Sequence, residues 1–414
     1  MLGIALITDI VLTRGLGPGG RGIYALAMLT VTLTVQVFDL GLPTATTYHV
    51  SRFPQDIHQI AGNSMVLIAV SGAVITVAGY VTKGIGFGLR PELQALPPTF
   101  IPVLAAAAVL TLSVNNANAI LLGQQSILTV NASQILTAVI ILFGTVGLGV
   151  TGHLTMVSAL GVYASGRAAA LVWSISRIRL QRFPTISAPV FRQCVRFASR
   201  EYLSNVTSFV AYRVDQMILA TMVSLRDIGF YAVATSVSER LNVVPNSVAT
   251  VLLPTVASFD NEQRAVDYTK RLMRVTLQCS VVSVLALAAL CPFLIPLVYG
   301  KAYNGAVIPL ILLLPGASAL AASKVLASHL TGRGRPDFTM KASIVSGALI
   351  LVLDLILIRF YGIRGASVAS ALGYWSGTAM LFHYFRKQRR EVALARGGAV
   401  EGTVAPREHV AQFR

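Results

Sequence analysis

Apolar residues fall in blocks along the chain, and short polar or basic connections separate the blocks. A helix of about 20 such residues crosses the roughly 30 Å hydrocarbon layer of a bilayer. The pattern predicts twelve crossings, over residues 1–12, 23–42, 60–82, 99–122, 127–150, 154–176, 202–223, 231–257, 276–298, 308–327, 342–360 and 366–384. No strand-like alternation competes with this periodicity. The first block is short, because twelve helical residues rise only about 18 Å. The expectation is a start upstream of Met1. A signal peptide is the weaker reading, since Asp9 interrupts the block and no small-residue cleavage site follows.

Composition agrees with a lipid-exposed chain. Of 414 residues, 55% are hydrophobic and 12% charged, with a mean hydropathy of +0.70. Soluble domains carry about 25% charged residues. The net charge of +17 would suggest nucleic acid in a soluble protein, but no basic–aromatic platform or nucleic-acid motif accompanies it. The basic residues instead crowd connections on one face. These are Arg177, Arg179, Arg182, Arg192, Arg196 and Arg200; Arg264, Lys270, Arg271 and Arg274; Arg333, Arg335 and Lys341; and Arg386, Lys387, Arg389 and Arg390. The opposite connections carry scattered charges such as Lys83, Arg226 and Lys301. The positive-inside rule places both termini in the cytoplasm. Cys194, Cys279 and Cys291 stand apart, and no HExxH or CxxC occurs, so neither metal nor cofactor is expected.

An internal repeat organises the blocks. Gly22-Ile-Tyr-Ala-Leu-Ala27 matches Gly229-Phe-Tyr-Ala-Val-Ala234 at an offset of 207 residues. Gly123 matches Gly332, Ala132-Ser133 matches Ala342-Ser343, and Ser158-Ala-Leu-Gly161 matches Ser370-Ala-Leu-Gly373, in the same order along the chain. Six crossings per copy make the copies parallel, related by an axis along the membrane normal. The expected architecture is an all-α membrane protein of two six-helix lobes around a central cavity. Its parts are an N-terminal lobe (1–178), a cytoplasmic linker (179–199), a C-terminal lobe (200–385) and a polar tail (386–414).

Ionisable side chains at bilayer depth cost at least about 2.5–3.5 kcal/mol on insertion scales, and they persist beside water or a partner. The candidates are Asp39, Arg167, Arg213, Asp215, Glu239, Arg240, Lys324 and Asp354. Asn205, Ser208, Tyr212 and Asp215 recur at helical spacing and predict a polar stripe facing either a cavity or a neighbouring helix. Arg213 lies off that stripe, so it and Asp215 each look to other helices. Asn115, Asn116 and Asn118 cluster in the fourth block, where amides bind sugar hydroxyls or bond across helices. Asp9 and Asp354 are candidate proton carriers, and Asp39 suits a helix-end anchor equally well.

The segment Leu12-Thr-Arg-Gly-Leu-Gly-Pro-Gly-Gly-Arg-Gly-Ile-Tyr-Ala-Leu26 resembles the connection between the first two helices of polysaccharide flippases. Phe38-Asp-Leu-Gly-Leu42, Arg213-Val-Asp-Gln216, Ile228–Ala234 and Pro254 resemble further motifs of that family. It belongs to the multidrug/oligosaccharidyl-lipid/polysaccharide flippase superfamily. The resemblance implies a non-enzymatic transporter in the bacterial inner membrane. Its cargo would be undecaprenyl-pyrophosphate-linked oligosaccharide, moved to the outer leaflet for lipopolysaccharide or exopolysaccharide assembly. The transport unit would be a monomer, with a polysaccharide polymerase and chain-length proteins as candidate partners. Arg167, Arg213 and Arg240 then become candidate pyrophosphate ligands, since guanidinium forks match phosphate oxygens. Asn115, Asn116, Asn118, Asn205 and Tyr212 become candidate contacts to the sugar. Asp39, Asp215, Glu239, Lys324 and Asp354 remain candidates for coupling or structural ion pairs. A cation-coupled drug antiporter, a membrane glycosyltransferase or ligase, and a scaffold are the alternatives.

Overall fold

The computed structural model describes residues 2–85, 97, 99–180, 183–259 and 261–401. These form helices and their connections, with no strand among the described residues. The N-terminal half holds α1 (Leu2–Phe38), α2 (Leu42–Arg52), α3 (Ile57–Ile85), α4 (Phe100–Gly123), α5 (Ile127–Val150) and α6 (Met156–Arg177). The C-terminal half holds α7 (Ala188–Met222), α8 (Leu225–Arg240), α9 (Val243–Ala257), α10 (Glu262–Val298), α11 (Val307–Gly332), α12 (Pro336–Tyr361) and α13 (Ile363–Glu401). Eight of these helices are long and apolar enough to cross a membrane by length and composition. The count of twelve crossings follows when the two arms of α1 are separate, α8 and α9 form one broken crossing, and α7 and α13 cross despite polar ends.

The structure departs from the sequence pattern at three places. Blocks 1–12 and 23–42 join into the single helix α1, bent at Gly17, whose φ of 66° and ψ of 173° are non-helical. That region suits glycine alone, and the extended ψ is what the following Pro18 demands. The second crossing of each half is also broken. Residues 39–41 separate α1 from α2, with Leu40 and Gly41 both at positive φ, and residues 241–242 separate α8 from α9. The apolar block 23–42 ends at the first break, because α2 is too polar to extend it, whereas block 231–257 runs through the second. Finally, α7 begins at Ala188, so much of the 179–199 linker is helical and packs on α2 and α3.

Burial follows the duplication. The most apolar windows of α4 and α11 are 50% and 56% buried, those of α3 and α10 both 11%, and those of α5 and α12 both 17%. Each lobe therefore has one central helix at the same place in the repeat and two peripheral helices facing lipid. Leu128, Val150, Phe143, Phe293 and Leu297 are among the strongly exposed apolar side chains. Such a surface is stable only against hydrocarbon.

The repeat glycines carry the packing. A Cβ on Gly123 of α4 would press on Val50 and the Thr47 carbonyl of α2. A Cβ on Gly332 of α11 would press on the Leu253 carbonyl and Val256 of α9, which lie 206 positions further on. The same contact is thus built twice. Between the lobes, α1 and α8 make the most extensive contact. At its centre a Cβ on Gly22 would overlap the Leu225 carbonyl, and a Cβ on Gly229 would overlap the Pro18 carbonyl. The 207-residue offset relates Gly22 to Gly229 and Pro18 to Leu225, so the contact is reciprocal. The pseudo-two-fold axis passes between the two glycines.

Candidate functional site

A cavity of about 740 Å³ lies between the lobes. α1, α4, α5 and α6 line one side, and α7 and α8 line the other. Among the described residues its charged lining consists of Arg21, Arg167, Arg213 and Arg240 with Asp9 and Glu239. Four arginines against two carboxylates leave a surplus of two positive charges.

Asp9, on the first arm of α1, is the hub. Its Oδ1 accepts from Arg21 Nη2 at 2.8 Å. Its Oδ2 accepts from Arg240 Nη2 at 3.0 Å, Ser236 Oγ at 3.0 Å and the Tyr299 hydroxyl at 3.2 Å. Arg21 comes from the second arm of α1, while Arg240 and Ser236 come from α8 across the lobe interface. Both ions are largely removed from solvent, with side-chain exposures of 10% for Arg21 and 11% for Asp9. Further bonds tie the lobes together near the α1 kink. Arg14 donates to the carbonyls of Leu297 and Val298 at the end of α10, where unpaired carbonyls favour a cation. The Tyr303 hydroxyl donates to the Thr13 carbonyl at 2.8 Å.

The other arginines are held differently. Arg213 on α7 pairs with Glu239 on α8 at 3.0 Å, with exposures of 32% and 57%. Asp215, two residues on, turns away into the C-terminal lobe. It accepts from the Tyr231 hydroxyl, from Ser370 Oγ at 3.4 Å and from the Gln216 amide at 2.7 Å. Tyr231 stands between Asp215 and the cavity that it lines. Arg167 on α6 donates from Nε to the Tyr163 hydroxyl at 3.1 Å and lies 5.2 Å from that ring's centre. It makes no salt bridge among the described residues.

The amides divide as well. Asn115 and Asn118 line the cavity. Asn118 Oδ1 accepts from Ser174 at 2.9 Å and Ser133 at 3.2 Å, which fixes its amide plane. Asn116 is buried and donates to the Leu112 carbonyl at 3.0 Å, inside α4 rather than into the cavity. The side chains of Asn205 and Tyr212 lie outside the described residues. Lys324 lines a separate cavity of about 110 Å³ within the C-terminal lobe, between α11, α12 and α13. Asp354 on α12 is fully buried, and neither carboxylate oxygen has a hydrogen-bond partner among the described residues. Asp39 sits in the break between α1 and α2, its amide bonded to the Val35 carbonyl at 2.8 Å. No cluster of potential metal ligands occurs among the described residues.

Residue-by-residue reading missed Arg21, Tyr24, Gln134, Tyr163 and Ser236, all of which line the cavity. The repeat held one usable signal: Tyr24 and Tyr231 are equivalent positions, and both face the cavity.

This architecture is shared with solved transporters. A multidrug resistance MATE family transporter of the MOP superfamily, in an inward-facing conformation, superposes with a TM-score of 0.75 at 14% identity, covering 98% of this chain and 96% of that one. The lipid II flippase MurJ in an inward closed conformation gives a TM-score of 0.75 at 14% identity, covering 95% and 90%. The chain therefore has the fold of these two solved transporters. In sequence, the probable low-salt glycan biosynthesis flippase Agl15 of Haloferax volcanii is 22% identical over 226 residues, which are 53% of this chain. The matched region spans about half the length of that relative, 47%. The family model described as polysaccharide biosynthesis protein matches residues 1–260, and the chain belongs to that family.

Proposed function

We propose that the protein is a flippase for a lipid-linked saccharide, carrying an undecaprenyl-pyrophosphate-linked oligosaccharide from the inner to the outer leaflet of a bacterial inner membrane by alternating access. One observation carries this reading: the inter-lobe cavity has a surplus of two positive charges and a wall of uncharged amides and hydroxyls. A diphosphate diester bears two negative charges, which match the surplus. Asn115, Asn118 and Gln134 offer hydrogen bonds of the kind that sugar hydroxyls use. The lipid tail stays in hydrocarbon, so the protein need shelter only the polar headgroup. Arg167 and Arg213 make the first contacts with the diphosphate, because Arg167 has no carboxylate to leave and the Arg213–Glu239 pair is open to solvent.

The distribution of basic loops supports cytoplasmic termini and an α1 kink at the outer face. The lobes touch at that face through Gly22, Gly229, Arg14 and Tyr303, which supports an inward-facing state. Both solved neighbours described above are inward conformations. A drug/cation antiporter on the same fold would want an anionic cavity, and the charge balance argues against it.

The decisive assay is reconstitution. Proteoliposomes containing the protein should expose a labelled polyprenyl-diphosphate oligosaccharide to an impermeant glycosidase well above the rate of empty vesicles, and Arg167→Ala with Arg213→Ala should abolish the gain. Equal rates with and without protein, or export of a cationic dye in place of the sugar-lipid, would overturn the assignment.

A further inference from the structure

The Asp9 carboxylate sits in a cradle of four donors drawn from α1, α8 and the residue after α10: Arg21, Arg240, Ser236 and Tyr299. Two guanidinium groups and two hydroxyls converging on one oxyanion match what a phosphate diester needs. The cradle borders the cavity, since Asp9, Arg21, Ser236 and Arg240 all line it. The geometry points to Asp9 as a resident anion that occupies the diphosphate site in the unloaded protein, to be displaced by the cargo's phosphate. This inference rests on the flippase reading and deepens it. It assigns Arg21 and Arg240 as the inner phosphate ligands, reached after Arg167 and Arg213.

The exchange has a mechanical consequence. Asp9 is carried by the N-terminal lobe, and three of its four donors belong to the C-terminal half, so its bonds are a latch between the lobes. Arg21 and Arg240 cannot hold both the carboxylate and a phosphate with the same N–H groups. A carboxylate stripped of its donors is unstable in a low-dielectric interior and must move to water. The joint that permits the movement lies eight residues on, at Gly17-Pro18, where α1 is already bent. Loading of the cavity thereby releases the contacts near the kink and favours separation of the lobes at the outer face. No covalent step is involved; one anion replaces another on the same donors.

Two measurements test this. The first is binding in detergent of a short-chain prenyl-diphospho-N-acetylglucosamine, with inorganic diphosphate as the second probe. Asp9→Asn empties the cradle of its resident charge and should tighten binding of the prenyl probe by at least about tenfold, the scale of one charge-assisted hydrogen bond. Inorganic diphosphate should bind more weakly than the prenyl probe in both proteins. Equal or weaker binding of the prenyl probe by Asp9→Asn would refute the resident-anion assignment. Preference for inorganic diphosphate would refute a lipid headgroup as the ligand.

The second measurement keeps Asp9 and so does not depend on the folding of that variant. Spin labels at Thr151→Cys and Lys301→Cys, both exposed and near the kink-side ends of α5 and α10, report lobe separation once the three native cysteines are replaced. Saturating prenyl probe should lengthen that distance. An unchanged distribution would refute the latch. Failure of the wild-type protein both to bind either probe and to translocate sugar-lipid would instead bring down the flippase reading itself, a result distinct from the other outcomes.

Discussion

The reciprocal contact of Gly22 with Gly229 and the charged cavity beside it follow opposite rules. The contact is symmetric: the 207-residue offset maps Gly22 onto Gly229, Pro18 onto Leu225, Tyr24 onto Tyr231 and Ala27 onto Ala234. The cavity charges are not symmetric. The same offset maps Asp9 onto Gln216, Arg21 onto Ile228, Arg213 onto Leu6, Glu239 onto Thr32 and Arg240 onto Leu33. A duplicated fold keeps small residues wherever two backbones must touch, because a side chain on either copy spoils the same joint. Nothing holds charges to that symmetry, since the proposed cargo, with a phosphate end and a sugar end, is itself asymmetric. The difference separates the residues that make the scaffold from those proposed to choose the cargo.

The largest expected effect tests the symmetric half of this comparison. Gly22→Ala and Gly229→Ala each place a methyl group on a carbonyl of the other lobe. Overpacking of this kind costs about 1–3 kcal/mol where neighbours give way, and here the neighbour is backbone. Both variants should lose most of their translocation activity and show the same shift toward lobe separation at the kink face, measured by spin-label distances. If one glycine tolerates the change and the other does not, the contact is not a symmetric joint. Next comes Arg167→Ala, on the asymmetric side. Loss of one charge-assisted hydrogen bond of about 1.5–3 kcal/mol predicts roughly 10–100-fold weaker binding of a diphosphate-linked sugar. The thermal midpoint should hold, because Arg167 balances no carboxylate among the described residues. A large fall in thermal midpoint would recast Arg167 as a structural cation.

Much of the scaffold was legible in the sequence, because a lipid-facing helix needs an uninterrupted apolar run and a repeated joint needs its glycine twice. The blocks at 99–122, 127–150 and 154–176 coincide closely with α4, α5 and α6. The broken crossings were legible only in part: the apolar block 23–42 stops at the first break because α2 is largely polar, while block 231–257 runs through the second despite Glu239, Arg240 and Asn242 beside it. The site was legible by residue type but not by partnership. Arg167, Arg213 and Arg240 stand out as charges within apolar blocks, yet only the fold shows that Glu239 accompanies Arg213 while Asp9 accompanies Arg240. The Asp9 bonds to Ser236, Arg240 and Tyr299 join residues at least 227 positions apart, a separation over which helical periodicity carries no information. Asn116 shows the converse: it shares its segment with Asn115 and Asn118, but the 100° step of the helix turns it into the lobe.

Glu239 supplies the smallest and most discriminating prediction. It is more than half exposed, and its pair with Arg213 is open to solvent, so the pair contributes only about 0–1 kcal/mol to stability. Glu239→Gln should therefore leave the thermal midpoint within error. In the cavity, however, the same change raises the positive surplus from two to three and frees Arg213. One unit charge acting through water-filled space at an ion-pair-scale distance amounts to about 1 kcal/mol, or roughly fivefold in affinity. A diphosphate-linked sugar should bind more tightly by about that factor, and the gain should shrink as salt is added because exposed charges are screened within about 10 Å. The matching change in the other copy, Thr32→Val, removes no charge and should alter neither quantity. If Glu239→Gln weakens binding, the glutamate is itself a cargo contact, accepting a hydrogen bond from the sugar. Recognition would then draw on an acid and its neighbouring base together rather than on surplus positive charge.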